Sequence, residues 1–157
     1  MTKQEFLTAA IAAARDASRT SGLPPGVTVA QAALESAWGK SGLSRQANNY
    51  FGIKAHKGHE SVQMGTTEVT NGVAARTTAR FAKYASMAEC FADRDRLILT
   101  LPVYAEAKRC AQDPEAFVRA LAKHWATDPE YADKLLRTWR ANKLNELDQT
   151  NSHQQPA

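Results

Sequence analysis

The chain predicts a mainly α fold of the α+β class, in which a helical α lobe and a small β-hairpin lobe flank a cleft. Three observations carry this. Capping pairs mark helix starts along most of the chain. One Thr- and Val-rich stretch in the middle is poor in helix formers and holds an Asn-Gly pair. The 157 residues have the composition of one globular domain.

Thr2 with Glu5 is the first capping pair: the hydroxyl accepts from the third residue's N–H while the longer side chain reaches back. The helix it opens runs from about residue 3 to 18, with Phe6, Leu7, Ala10, Ile11 and Ala14 on one face. The run Ser21-Gly22-Leu23-Pro24-Pro25-Gly26 breaks it. Thr28 with Gln31 marks the next start, and the second helix runs from Val29 to Trp38, with Gly39 as its stop. Between Ser61 and Phe81 the chain reads as a β-hairpin, because Asn71-Gly72 is the favoured pair for a type I′ turn. Ser86 with Glu89 opens a helix over about 87–100, and Pro102 separates it from one over 103–111. Asp113-Pro114 is an N-cap and first-turn pair for a helix over 114–125, and Thr127 with Glu130 opens the last, over 129–144. Asp148 to Ala157 is polar and reads as a frayed tail. The junction of the two lobes is the natural cleft.

Hydrophobic residues make up 43% and charged residues 23%, enough for one real core. No apolar stretch approaches the roughly 18 residues that span a bilayer, so no membrane insertion is expected. The opening Met-Thr-Lys-Gln-Glu-Phe carries an acid and starts an amphipathic helix, unlike a secretory leader, so the chain is expected to be made in the cytoplasm without a signal peptide. Net charge is +4, which favours anionic partners, but the basic residues are scattered and form no block of the kind that binds nucleic acid. Cys90 and Cys110 lack metal-ligand spacing; they read as apolar fillers on helices, with a disulfide between neighbouring helices as the alternative. His56-Lys57-Gly58-His59-Glu60 is not a His-Glu-x-x-His helix, and His124 and His153 are sharper in no way, so neither metal nor cofactor is expected. Asp128, before Pro129, reads as a first-turn helix acid.

Glu35 is the strongest candidate for chemistry. It follows Ala32, Ala33 and Leu34, shares a face with Gln31 and Trp38, and lies in the last turn of its helix. Desolvation and the negative end of the helix dipole both disfavour the carboxylate and raise its pKa, as a general acid requires. The alternative is a solvated glutamate on an amphipathic helix. Glu68, on the hairpin, is a second carboxylate that either faces the cleft or is a solvated strand residue. Trp38, Tyr50, Phe51, Tyr84, Trp125 and Tyr131 are the aromatics placed to stack on sugar faces, with core packing as the alternative, most readily for Phe51. Asn49, with Asn48, either touches substrate or ties its loop through local backbone bonds, and Gly52 supplies a turn or a close approach.

The runs Gln31-Ala32-Ala33-Leu34-Glu35-Ser36-Ala37-Trp38-Gly39 and Asn48-Asn49-Tyr50-Phe51-Gly52-Ile53-Lys54, followed by Trp125-Ala126-Thr127-Asp128-Pro129-Glu130-Tyr131-Ala132-Asp133-Lys134-Leu135, resemble the glucosaminidase family of peptidoglycan hydrolases, glycoside hydrolase family 73. The motifs occur in the family's order and the likeness spans about residues 3 to 142. It implies a lysozyme-like fold and cleavage of the β-1,4 glycan between N-acetylglucosamine and N-acetylmuramic acid. By the same resemblance the general acid falls on Glu35, the second carboxylate on Glu68, and the Phe-x-x-Tyr after the hairpin on Phe81 and Tyr84. Members commonly have Tyr-Ala-Thr-Asp where this chain has Trp125, which keeps a stacking face and loses a hydroxyl.

The expectation is therefore a catalytic domain over 1–147, a tail over 148–157, and a monomeric bacteriolytic enzyme acting on peptidoglycan strands in the periplasm. Release as an endolysin and delivery as an antibacterial effector both fit; the second implies an immunity protein that occludes the cleft. The competing functions are a lytic transglycosylase and a non-catalytic peptidoglycan-binding module.

Overall fold

The computed structural model describes residues 1–149. Seven helices and one hairpin make it up: α1 (Lys3–Ser21), α2 (Pro25–Ser36), α3 (Gly42–Ala47), β1 (Glu60–Thr70), β2 (Val73–Lys83), α4 (Met87–Thr100), α5 (Ala105–Arg109), α6 (Pro114–Trp125) and α7 (Tyr131–Ala141). Short 3-10 turns precede α5 (Pro102–Tyr104) and close the described chain (Leu144–Asp148). The mainly helical architecture with one inserted hairpin is the one the sequence predicts. No helix among the described residues is long and apolar enough to cross a membrane.

The Thr2–Glu5 capping box forms in full, and Gly22, at φ 73°, closes α1 in the left-handed conformation that glycine adopts without strain. α1 lays Phe6, Ala10, Ala13 and Ala14 against α2 and α4. α2 is the central helix: Gly26 through Ala33 is buried without interruption, enclosed by α1, α7 and the final 3-10 turn.

The expected start of α2 is wrong by a full turn. Thr28 is not an N-cap but an interior residue whose hydroxyl donates to the Pro24 carbonyl at 3.2 Å. The cap comes from far along the chain: Asp148 accepts the Gly26 N–H at 2.7 Å and the Val27 N–H at 3.0 Å. Asp148 is thus part of the fold and not of a frayed tail; residues 150–157 of that expected tail lie outside the described residues. The Thr127–Glu130 box does not form either, because Asp128 accepts the Glu130 N–H at 2.9 Å and α7 starts at Tyr131. Asp113 caps α6 as expected, and Ser41 caps α3, a short helix that the sequence pattern does not announce.

The hairpin pairs from Thr70 with Val73 to Glu60 with Lys83. Asn71 and Gly72 both have positive φ, which is the type I′ turn the pair predicts. The tip stands away from the core, with Val69 and Val73 each 66% exposed. The base is tied down. Lys54 bridges Phe81, the Ala55 N–H reaches the Arg80 carbonyl at 2.9 Å and the Ala82 N–H reaches Ile53 at 3.0 Å. The loop after α3 therefore acts as a short third partner of β2. Cys90 and Cys110 are free thiols; Cys90 is in the core and accepts the Tyr50 N–H at 3.4 Å.

Candidate active site

Glu35 sits in the last turn of α2, partly exposed, where that helix meets the loop after α3 and the start of α7. Burial pushes its pKa above the ordinary carboxylate range, and the Tyr131 hydroxyl, donating to Oε2 at 2.6 Å, pulls the other way; burial wins. Tyr131 is itself buried, and its own pKa is raised by that burial and by Glu35. Its oxygen accepts from Gln31 Nε2 at 3.2 Å. Gly52 passes the other oxygen of Glu35: a Cβ at Gly52 would stand 4.0 Å from Oε1, and its φ of 71° is one that side chains rarely adopt. A carboxyl so placed is held through one oxygen and presents the other.

The loop over Glu35 is built by Asn49. Its amide nitrogen donates to the Ile53 and Ala82 carbonyls, both at 2.9 Å, and its carbonyl accepts the N–H groups of Phe51 and Ile53. Asn49 is buried and spends its hydrogen-bonding capacity on backbone.

The helix ends before Trp38. Ala37 and Trp38 both take left-handed φ, so Trp38 leaves the face of Gln31 and Glu35. Its ring meets Phe6 edge-on at 5.8 Å, with Lys3 Nζ 4.6 Å from its centre. Tyr50 is buried between Phe6 and Phe91. Tyr84 is buried as well, and its hydroxyl donates to Asp93 at 2.6 Å. Phe51 packs on Phe91 at 5.0 Å and meets the partly exposed Trp125 at 6.5 Å, which in turn rests on Tyr104. Of the aromatics the sequence singles out, the structure brings Tyr131 directly to Glu35.

Glu68 lies on the half-buried face of β1, in alternation with Met64 and Thr66. Met64 reaches the start of α3, since its methyl would lie 3.3 Å from a Cβ at Gly42. That face therefore turns toward the helical body. Lys54, two residues after Gly52, pairs with Glu68 at 3.2 Å.

Two residues the sequence did not single out complete the picture. Arg94 and Asp95 on α4 are buried and paired at 2.8 Å, and Arg94 donates to Gln31. They occupy the stripe between Phe91 and Ile98, and a charged pair in an apolar stripe is the sequence signal that marks them. Among the described residues no group of three His, Cys, Asp or Glu is placed to hold a metal ion. A surface groove of about 520 Å³ between α6 and α7, lined by Arg119, Asp133 and Arg137 among others, includes none of the residues that touch Glu35.

The model of the family described as glucosaminidase, mannosyl-glycoprotein endo-beta-N-acetylglucosaminidase, matches residues 11–144. The chain belongs to the glucosaminidase family. The exo-glucosaminidase LytG of Bacillus subtilis is 37% identical over 133 residues, covering 81% of this chain and 47% of LytG. The chain spans under half the length of the curated relatives it matches first. The catalytic domain of the autolysin Auto from Listeria monocytogenes superposes with a TM-score of 0.81 at 32% identity, over 93% of this chain and 87% of that one. A peptidoglycan hydrolase mutant from Sphingomonas sp. A1 gives 0.79 at 37% identity, over 92% and 97%. The glucosaminidase family is the one the three sequence motifs resemble, and its members are glycoside hydrolases.

Proposed function

We propose that this glucosaminidase domain cleaves the β-1,4 bond on the reducing side of N-acetylglucosamine in peptidoglycan. The observation that carries the reading is Glu35, a carboxyl raised above its ordinary pKa by burial and held through Oε2 by Tyr131 at 2.6 Å. In this reading the free Oε1 delivers a proton to the glycosidic oxygen as the bond to the anomeric carbon breaks. The developing positive charge is met by Glu68, or by the substrate's own 2-acetamido oxygen with Glu68 orienting it. The relatives' names support the substrate: an exo-glucosaminidase, an autolysin and a peptidoglycan hydrolase.

Mass spectrometry of purified sacculi after digestion tests this. New reducing N-acetylglucosamine ends are expected. Reducing N-acetylmuramic ends would make it a muramidase, anhydro-muramic ends a transglycosylase, and intact sacculi with bound protein a binding module.

The site of action in this reading is the wall, in the periplasm, and the enzyme works as a monomer. Forced periplasmic expression should lyse a Gram-negative cell, and Glu35→Gln should abolish that lysis. A neighbouring exported protein that binds the domain and suppresses lysis would assign it to delivery against rivals; its absence would assign it to release at lysis.

A further inference from the structure

Arg94 has no exposed surface and lies two residues' reach away from the acid, with Gln31 and Tyr131 between them. Every contact it makes is a donation, because a guanidinium has no acceptor. Nε and Nη2 donate to Gln31 Oε1 at 3.0 and 2.8 Å, and Nη1 donates to Thr28 Oγ1 at 2.9 Å and to Asp95 Oδ1 at 2.8 Å. Asp95 neutralises the buried cation and is itself held by the Ser21 hydroxyl at 2.7 Å. The centres of the Phe51 and Phe117 rings lie 5.5 and 6.0 Å from the guanidinium carbon.

We propose that Arg94 is a positioning residue that sets the direction of every hydrogen bond from α4 to Glu35, and so fixes which oxygen of Glu35 carries the acid proton. The argument follows donors and acceptors. With Arg94 donating twice to Gln31, the side-chain carbonyl of Gln31 must face Arg94. The reversed amide would set its NH2 against the guanidinium, donor to donor. Gln31 Nε2 is thereby aimed at the Tyr131 oxygen, 3.2 Å away. The tyrosine oxygen then accepts from Gln31, and its single proton goes to Glu35 Oε2. Oε2 is an acceptor in both protonation states of Glu35, so in the acid form the proton sits on Oε1, beside Gly52. If the chain ran the other way, Tyr131 would turn its O–H toward Gln31 and accept the proton of Glu35. The acid would then point into the protein and away from the leaving group.

The inference rests on Glu35 being the general acid, and the test separates the two. Gln31→Glu keeps the shape and the acceptor for Arg94 but replaces the NH2 by an acceptor, which reverses the chain. Gln31→Met removes the donor, and Arg94→Lys keeps the charge while losing the paired donation. Turnover and KM on sacculus-derived glycan are measured against pH for each variant, alone and with Tyr131→Phe, after thermal melts establish folding. Gln31→Glu should lower kcat by roughly tenfold or more, a part of the roughly hundredfold and larger factor that a general acid supplies, with KM within about twofold. Gln31→Met offers Tyr131 no competing acceptor, leaves its proton on Glu35, and should stay within a fewfold of wild type. In Gln31→Glu the alkaline limb should move to higher pH, because the carboxylate of Glu35 loses its donor. In Tyr131→Phe the same changes should have almost no further effect, since the path runs through that hydroxyl. Wild-type turnover in Gln31→Glu, a loss in Gln31→Met as large as that in Gln31→Glu, or losses that multiply fully with Tyr131→Phe, would overturn the proposal. If Arg94→Lys fails to fold, the Gln31 variants decide alone. An active, folded Glu35→Gln would instead overturn the general-acid assignment beneath it.

Discussion

Asp148 accepts the Gly26 N–H at 2.7 Å across 122 residues of chain. Its second oxygen takes the Val27 N–H at 3.0 Å and the Trp139 indole N–H at 2.8 Å, so one carboxylate caps α2 and pins α7 to it. Asp148→Ala should lower stability by about 1–3 kcal/mol, since it removes a cap and leaves buried donors unpaired. Gly26→Ala should cost about as much by overpacking, because its Cβ would overlap the Leu144 carbonyl oxygen. Denaturant melts check both. A change of only a few tenths of a kcal/mol in both variants would make this contact dispensable.

The same contact explains what the sequence hid. Glu35, its loop and Tyr131 are legible because the acid, the glycine and the aromatic lie in short runs whose order carries information. The hairpin is legible because Asn71-Gly72 is local. The start of α2 is not, because the Thr28–Gln31 spacing imitates a capping box while the real cap is 120 residues away. That shift of a turn matters for chemistry. It places Thr28 and Gln31 inside a buried helix, where they meet Arg94 from α4. No local pattern reports a partnership between positions 63 residues apart. Trp38 leaves its expected face for a local reason: left-handed φ at Ala37 and Trp38, unusual for those residues, ends the helix before it.

Asp93 gives the fold an acid-sensitive joint. Burial pushes its pKa up, but the Tyr84 hydroxyl, Arg96 and His59 together outweigh burial and hold it below the ordinary carboxylate value. A depressed folded-state pKa contributes stability above the unfolded value and loses it as pH falls through the folded one. Asp93→Asn should therefore lower Tm near neutral pH, and the gap to wild type should close below the ordinary aspartate range. Thermal melts of both proteins across acidic pH check this; a gap independent of pH would refute it.

Glu35 has the opposite sign. Its folded pKa is raised by burial, so its contribution to stability is fully present below the ordinary glutamate value and is lost as pH rises through the raised one. Glu35→Gln never ionises. The variant should be inactive, and above the raised pKa it should melt at a higher temperature than wild type, the difference vanishing on acidification. The cost of burying this carboxyl is therefore felt once it ionises, above the pH range in which it holds a proton to donate. A folded Glu35→Gln with near wild-type turnover, or with a lower Tm throughout, contradicts this.

Glu68 provides the sharpest division between mechanisms. Its pairing with Lys54 is solvent-exposed on both sides and adds little to stability, so Glu68→Gln should fold as well as wild type and any loss reports on chemistry. If Glu68 attacks the anomeric carbon, the loss should rival that of Glu35→Gln. If the substrate's acetamido oxygen attacks and Glu68 orients it, the loss should be smaller, roughly a hundredfold, at the low end of what one assisting group supplies. A second measurement separates these without relying on magnitude. Replacing the acetamido methyl by an electron-withdrawing trifluoromethyl weakens an acetamido nucleophile and leaves a carboxylate nucleophile nearly untouched. A steep fall in wild-type turnover on that substrate assigns the attack to the sugar, whereas an unchanged rate assigns it to Glu68. Full activity of Glu68→Gln on the ordinary substrate would remove this residue from the reaction altogether.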